Sequence, residues 1–282
     1  IDADVLGGIY EQYLEHLIKR SGREIEVVSD RGRRKAQGIY YTPKFVVRYI
    51  VENTLGPALE GKSLSEARKI RILDPACGSG SFLIEALDYL EKHWKRQKWI
   101  SQSGLEADFK QQDFFDYVAR VQFLTENLYG VDLDAQAVEI AQLNILLKAL
   151  SQRQRLPDLV NNIRQGNSLI SGTEEELRPY FGDSWREKKP FNWEQEFDRI
   201  MAEGGFDVVI GNPPWIESKR MNTSDKNYYE VAFGSMHGQY DIFNGFVERG
   251  LQLLKGGGLL GFIMPSRFVM NPDYEPFREM LL

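Results

Sequence analysis

Short apolar runs that alternate with helical stretches constrain this 282-residue chain more than any other feature of its sequence. Four of these runs lack the polar alternation of a half-exposed strand, which predicts strands that are buried on both faces. The four runs are residues 70–73, 128–131, 206–210 and 259–264, and residues 163–165 are a weaker candidate. Strands that alternate with helices predict parallel βαβ units, and therefore an α/β fold with a doubly wound, mostly parallel sheet.

Apolar residues at three- and four-residue spacing predict an N-terminal amphipathic helix over residues 5–18, followed by an exposed basic loop over residues 29–35. Another helix is predicted after Thr42 and Pro43, with the threonine as N-cap and the proline as first helical residue. Residues 97–127 and 171–196 are long polar stretches and are interpreted as insertions outside the core. Further helices are predicted near residues 81–96, 113–126, 135–150, 193–203, 240–255 and 273–282.

The composition excludes several classes of protein. Hydrophobic residues make up 42% and charged residues 27% of the chain, as in globular rather than disordered proteins. The net charge of −6 predicts that any contact with nucleic acid is local, at clusters such as residues 31–35 and 219–220. No apolar run approaches the roughly 20 residues that cross a bilayer. The single cysteine and the absence of a secretion signal at the start favour the cytoplasm.

A glycine-containing loop, Asp74-Pro-Ala-Cys-Gly-Ser-Gly80, joins the first of these strands to a helix. Gly78 and Gly80 therefore fall in a strand-to-helix turn, where open parallel sheets bind ligands at a helix N-terminus. The dinucleotide-binding fingerprint requires a third small residue where this sequence has Leu83, which disfavours a pyrophosphate ligand. A purely structural tight turn remains the alternative.

Acidic and polar residues follow the next two strands. Asp132 stands at the carboxyl tip of the second strand, where an acid pairs with ribose hydroxyls. Its distance from Gly80 exceeds the usual gap of about 20 residues, and the stretch 97–127 accounts for the excess. Asp134 is predicted to cap the next helix. The turn Gly166-Asn-Ser168 suits an adenine edge, but it also suits any turn.

The sequence Asn212-Pro-Pro-Trp215 ends the strand over residues 206–210. The two prolines stop the hydrogen-bond ladder and fix the backbone, because proline locks φ and lacks an N–H. The Asn212 amide oxygen and a neighbouring carbonyl then present two acceptors to one amino group, which favours methylation of an exocyclic amine without a general base. Trp215 is placed to stack on a base swung out of a duplex, with a core or rim tryptophan as the alternative. The three histidines lack metal-ligand spacing.

These motifs, preceded by Tyr40-Tyr-Thr-Pro43, occur in the order found in gamma-class N6-adenine DNA methyltransferases. The sequence resembles the methyltransferase region of type IIG and type I restriction-modification enzymes. The resemblance implies a Rossmann-like methyltransferase core over residues 36–282, dependent on S-adenosylmethionine (AdoMet), with residues 1–35 as an N-terminal helical segment and basic loop. It ends before the last strands and the target-recognition domain of the family.

The resemblance also implies a function and a set of site residues. The implied function is site-specific transfer of the AdoMet methyl group to N6 of a flipped adenine in double-stranded DNA, within a restriction-modification system. The parent chain of such enzymes can carry nuclease and target-recognition domains, and neither a metal nor a membrane is implied. The implied catalytic residues are Asn212, Pro213, Pro214 and Trp215. The implied cofactor contacts are Tyr41, Thr42, Pro43, Asp74, Ala76, Gly78, Gly80, Asp132, Leu133, Asn167, Ser168 and Asn212.

Two alternatives remain open. A protein-glutamine N5-methyltransferase also uses Asn-Pro-Pro followed by an aromatic residue, but the Tyr-Tyr-Thr-Pro motif and the polar stretches oppose it. A non-catalytic module could instead bind AdoMet and regulate an attached nuclease. Methyl transfer to an oligonucleotide or to a peptide distinguishes the two enzymes, and AdoMet binding without transfer favours the module.

Overall fold

The computed structural model describes residues 16–21, 24–29, 42–102, 117–149 and 157–282. Strands β1 (His16–Ser21) and β2 (Glu24–Ser29) form an antiparallel pair. The helix predicted over residues 5–18 is therefore wrong at residues 16–18, and its remainder lies outside the described residues, as do residues 30–35 of the predicted loop. Ser29, predicted in that loop, ends β2. The sequence Ile25-Glu-Val-Val28 favours a strand, because β-branched residues are enriched in strands.

Five parallel strands form the central sheet in the order β5-β4-β3-β6-β7. All five predicted strands are confirmed, with small shifts in their bounds. Strand β7 begins at Leu254 rather than at residue 259, because a bulge accommodates the glycine run after it: Phe206 pairs with Leu254 but Val208 pairs with Leu259. The strands are β3 (Ile72–Asp74), β4 (Leu128–Asp132), β5 (Ile163–Gln165), β6 (Phe206–Gly211) and β7 (Leu254–Phe262).

Helices connect these strands, and most of the predicted helices are confirmed. The helix predicted over residues 193–203 is divided at Phe197, whose ring is buried in the core. Residues 117–122 are helical and end in a π-helical turn, Phe123–Asn127. None of the described helices is both long and apolar enough to cross a membrane. The helices are α1 (Lys44–Leu59), α2 (Leu64–Ala67), α3 (Ser81–Gln102), α4 (Ala135–Ala149), α5 (Glu174–Phe181), α6 (Trp193–Glu196), α7 (Asp198–Ala202), α8 (Thr223–Ala232), α9 (Ile242–Leu253) and α10 (Glu275–Leu281).

Both faces of the sheet are covered by apolar side chains. Ile72 and Val208 pack on one face in a cluster with residues of α1, α3 and α4. Leu73 and Val209, their neighbours in sequence, pack on the opposite face among aromatic side chains. Burial on both faces explains why these strands read as continuous apolar runs.

The interpretation of residues 171–196 as an insertion outside the core is wrong. Phe191 and Trp193 are buried in the cluster on that second face. Leu177 and Phe181 are buried in another apolar cluster, with Tyr228 of α8. A Cβ atom at position 166 would lie 2.4 Å from the Phe191 ring, so glycine is required there. In the other stretch, residues 97–102 continue α3 and Phe123 is buried, while residues 103–116 lie outside the described part.

The topology brings the carboxyl ends of β3 and β6 together. Strands β4 and β5 lie on one side of β3 in the sheet, and the next strand along the chain, β6, lies on the other side of β3. Ligands of open α/β sheets bind in the crevice at such a switch point. The strand order therefore places the glycine loop after β3 beside the Asn-Pro-Pro-Trp sequence after β6.

Candidate functional site

Backbone hydrogen bonds fix the glycine loop between β3 and α3. The Cys77 N–H donates to the carbonyl of Val131 at 3.0 Å, and the Gly80 N–H donates to the carbonyl of Cys77 at 2.8 Å. Gly78 has a φ of +52° with open space around its Cα, whereas a Cβ at Gly80 would lie 3.3 Å from Ala141 of α4. Gly78 therefore has open space beside its backbone, and Gly80 permits the close approach of α4.

Asp132 at the tip of β4 holds this loop. Its Oδ2 accepts the Gly78 N–H at 2.8 Å and its Oδ1 accepts the Asp134 N–H at 2.9 Å. Burial raises the pKa of Asp132, and the nearby Asp134 charge acts in the same direction. Asp134 accepts the Gln136 N–H at 2.9 Å, which confirms its predicted role as the N-cap of α4. Leu133 between the two acids is 51% exposed at the sheet edge.

Asp74 forms a second acidic group at the same edge. Its carboxyl is buried and accepts the Ala76 N–H at 3.1 Å. Burial, with a smaller effect of the Asp132 charge, raises the pKa of Asp74 to about 8. A Cβ at Gly211 would lie 2.7 Å from Asp74 Oδ1, so the glycine at the end of β6 lets the two strand ends meet. Two neighbouring carboxyl groups at this edge suit a cationic ligand.

The Asn167-Ser168 turn is tied to the same loop. Asn167 Oδ1 accepts the backbone N–H groups of Leu169 at 3.0 Å and Ile170 at 3.3 Å. The buried Ser168 hydroxyl donates to the carbonyl of Pro75 at 2.6 Å. These side chains fix the turn against the glycine loop, and any ligand contact from them is additional to that role.

Asn212 is oriented by Thr42. The Asn212 Nδ2 donates to Thr42 Oγ1 at 3.0 Å, and the two residues belong to distant parts of the chain. The predicted helix start is therefore wrong: α1 begins at Lys44, and Pro43 occupies the N-cap position without a side-chain capping bond. The hydroxyl expected to cap the helix serves Asn212 instead. Tyr41 lies outside the described residues.

Trp215 and the two prolines before it are partly buried. Pro213 is buried, while Pro214 and Trp215 are half-buried. The Trp215 side chain packs against an apolar cluster that includes Phe243 and Phe277. Trp215 therefore packs on this cluster and also keeps part of its side chain accessible, three residues after Asn212.

An acid and an arginine that sequence reasoning missed anchor the segment after Trp215. The fully buried Asp241 accepts the Ile216 N–H at 2.7 Å through Oδ1 and a guanidinium N–H of Arg267 through Oδ2. Arg267 also pairs with Glu217 at 2.6 Å. Burial raises the pKa of Asp241, and the Arg267 charge opposes this shift. The sequence signal available was the acid of Gln239-Tyr-Asp-Ile-Phe243, which immediately precedes α9.

The site brings most of the predicted residues to one edge of the sheet. Asp74 and Gly78 belong to the glycine loop, Asp132 accepts a hydrogen bond from it, and Asn212 follows the adjacent strand. Within the described ranges, no three His, Cys, Asp or Glu side chains are grouped so as to hold a metal ion. The arrangement offers a cradle with acidic neighbours beside an oriented carboxamide.

The parallel sheet and its loop define a Rossmann-like fold of the methyltransferase type. Residues 126–282, more than half of the chain, match the Eco57I restriction-modification methylase family, and residues 62–161 match a second family described as RMKL-like, methyltransferase domain. The chain therefore belongs to the Eco57I restriction-modification methylase family.

Individual relatives agree with this assignment. The chain is 29% identical to the type II restriction enzyme and methyltransferase RM.Eco57I of Escherichia coli, over 99% of this chain and 28% of that protein. It is 27% identical to the adenine-specific methyltransferase PglX of Streptomyces coelicolor, over 84% of this chain and 20% of that protein. The fold is similar to that of the type IIL restriction-modification enzyme MmeI in complex with DNA, with a TM-score of 0.65 and 14% identity over all of this chain and 35% of that one. The chain spans well under half the length of each.

Proposed function

We propose that the chain is the methyl-transferring core of a site-specific DNA adenine-N6 methyltransferase of a restriction-modification system, with AdoMet as cofactor. The observation that carries this proposal is the position of Asn212, held by Thr42 at the end of β6 and adjacent to the loop after β3. An amine acceptor and a ligand cradle thus share one switch point. The names of the relatives, which include a restriction enzyme and an adenine-specific methyltransferase, support the same reaction.

The residues of the cradle fit AdoMet. Its sulfonium and ammonium groups are cationic. Burial raises the pKa values of Asp74 and Asp132 in the chain without a ligand, and a bound cation would lower them again and favour the carboxylate forms. In this proposal Gly78 and Ala76 lie along the methionine part, Asp132 binds the ribose and Leu133 packs on the adenine, with Asn167 and Ser168 nearby. Tyr41, Thr42, Pro43 and Gly80 complete the implied contacts. When bound, AdoMet supplies an electrophilic methyl group.

Asn212 acts on the target amine. The Asn212 amide, whose Nδ2 donates to Thr42, is proposed to accept one amino hydrogen through its oxygen, and a carbonyl of the proline pair to accept the second. Hydrogen bonds to both hydrogens favour a tetrahedral nitrogen whose lone pair is withdrawn from the ring and directed at the methyl group. Methyl transfer would release S-adenosylhomocysteine and leave the nitrogen with a positive charge. The nitrogen then loses a proton to solvent, so no general base is needed before transfer.

Trp215 is proposed to stack on the extruded adenine. Extrusion costs a few kcal/mol, and stacking on an aromatic side chain returns about 1–3 kcal/mol per base. The packing of Trp215 against the Phe243 cluster limits its motion, so less side-chain entropy is lost on binding. Double-stranded DNA is the proposed partner of the parent protein.

Labelled methyl transfer tests the proposal. The parent protein is incubated with AdoMet carrying a labelled methyl group, with unmethylated duplex DNA or with a glutamine-containing protein substrate, and the DNA is digested to nucleosides. The proposal predicts label in N6-methyldeoxyadenosine. Label in glutamine supports the protein methyltransferase instead, and AdoMet binding without transfer to either substrate supports the regulatory module.

A further inference from the structure

Lys189 is, within the described ranges, the only residue other than glycine that has a positive φ. Its φ of 51° and ψ of 55° lie in the left-handed region, which is unfavourable for a residue with a Cβ atom. Glycine and asparagine accept this conformation more readily. The conformation ends the 3-10 helix Gly182–Lys188, where the Lys189 N–H donates to the Arg186 carbonyl at 3.0 Å. A lysine, rather than the glycine or asparagine that such a helix end favours, directs attention to its side chain.

The surrounding structure determines this backbone conformation. The carbonyl of Lys189 accepts the Asn167 N–H at 2.7 Å, and Asn167 and Pro190 form a parallel bridge. The preceding residue, Lys188, pairs with Asp225 of α8 at 2.5 Å. The strained residue is thus held beside the turn that follows β5.

The Lys189 side chain reaches the tip of β4. Its Nζ donates to the carbonyl of Leu133 at 3.2 Å, and Gln165 Nε2 donates to the same carbonyl at 3.1 Å. Leu133 follows Asp132 directly and is half-exposed. An ammonium group has three donors, so the bond to Leu133 leaves two for a ligand.

We propose that Lys189 is a cofactor-binding residue whose ammonium donates a hydrogen bond to the adenosine part of AdoMet. Adenine ring nitrogens and ribose oxygens are acceptors, which match the remaining donors of the ammonium group. The left-handed backbone of Lys189 places its ammonium group beside the Leu133 carbonyl. The same segment contributes the buried Phe191 to the core. The inference rests on the proposed function, because that function places the adenosine beside Asp132 and Leu133.

Calorimetric AdoMet binding and thermal unfolding of the chain test this role together. Lys189→Asn keeps a residue that tolerates the conformation but removes the cation, and Lys189→Gly removes the side chain. We expect both to bind AdoMet about tenfold more weakly, which is about 1.4 kcal/mol. Their Tm should stay the same or rise by about 2 °C, since strain is relieved. Lys189→Arg should bind within a few-fold of the wild type, and Glu187→Asn, an exposed neighbour, serves as the matched control.

A lysine with only a structural role would not lower the affinity while the Tm is kept or raised. If Lys189→Asn and Lys189→Gly bind AdoMet as tightly as the wild type, the proposal is overturned. It is also overturned if Lys189→Arg binds as weakly as Lys189→Asn, because the cation would then not be the acting group. If the wild-type chain itself binds no AdoMet, both the proposed function and the role of Lys189 are overturned. If the wild type binds AdoMet and the Lys189 variants bind it equally well, only the role of Lys189 is overturned.

Discussion

Replacement of Asp132 by alanine removes two backbone hydrogen bonds and the proposed ribose contact at once. The carboxylate accepts the backbone N–H groups of Gly78 and Asp134, at 2.8 and 2.9 Å, and is proposed to bind the cofactor ribose. Hydrogen bonds to charged groups contribute about 1.5–3 kcal/mol each, and burial of Asp132 offsets part of that. We therefore expect Asp132→Ala to lower the free energy of unfolding by about 2–3 kcal/mol.

The same substitution should weaken AdoMet binding by about 1.5–3 kcal/mol, which is roughly 10- to 150-fold. Asp132→Asn keeps one acceptor oxygen and should lie between alanine and the wild type in both measurements. Asp134→Ala is the matched control: it loses the helix cap on Gln136 N–H, costs about 1 kcal/mol of stability and leaves the affinity unchanged.

Calorimetry for affinity and urea unfolding for stability separate these effects. Asp132→Ala with wild-type affinity for AdoMet would refute the ribose role. An equal loss of affinity in Asp134→Ala would show that disturbance of the β4 tip, rather than loss of the Asp132 carboxylate, weakens binding.

Three further predictions concern Thr42, Asp74 and Arg267. Thr42→Val should slow methyl transfer roughly two- to tenfold at saturating AdoMet, because Asn212 loses one neutral hydrogen bond. Saturation is needed because Thr42 is also an implied cofactor contact; Thr42→Ser should retain the rate, and an unchanged rate in Thr42→Val would contradict the orienting role. The pKa of Asp74 is raised from 3.8 to about 8, so its contribution to stability is present below pH 4 and lost as the pH rises towards 8. Urea unfolding at pH 5 and pH 8 should therefore show a larger loss in the wild type than in Asp74→Asn, and parallel changes would exclude this titration. Arg267→Gln leaves the carboxylate of Asp241 buried without its cation and should lower the free energy of unfolding by about 1–3 kcal/mol, less than for a fully buried pair because Arg267 is 37% exposed. The double variant Arg267→Gln with Asp241→Asn should recover part of this loss in urea unfolding, and no recovery would show that the buried charge is not its source.

The elements nearest to the site were predictable because their signals are local. The runs that became β3, β4 and β6 are continuous and apolar, as strands covered on both faces must be. The capping role of Asp134 was also predictable, since the bond reaches only two residues along the chain.

The contacts that orient the site were not predictable, because they join distant segments. Thr42 has the side chain and position of a helix cap, and only the folded chain brings it to Asn212, 170 residues away. Arg267 and Asp241 likewise meet only through the packing that follows β7.

The aromatic residues of 171–196 gave no periodic signal, because their spacing is irregular and charged residues lie between Phe181, Trp185 and Phe191. Phe191 is buried only because Gly166 leaves space for its ring. The burial of such residues depends on a partner surface rather than on a regular helical or strand spacing.

The central claim, that Asn212 acts on the target amine, is tested most directly by Asn212→Ala in the parent protein. The rate of N6-methyladenine formation in duplex DNA and the affinity for AdoMet are measured on the same preparation, with the exposed Asn161→Ala as control. The account predicts a loss of rate of at least about 100-fold, the scale of a hydrogen bond that acts in the transition state, with AdoMet affinity kept within a few-fold. A variant that still forms N6-methyladenine at a near-normal rate would contradict the account.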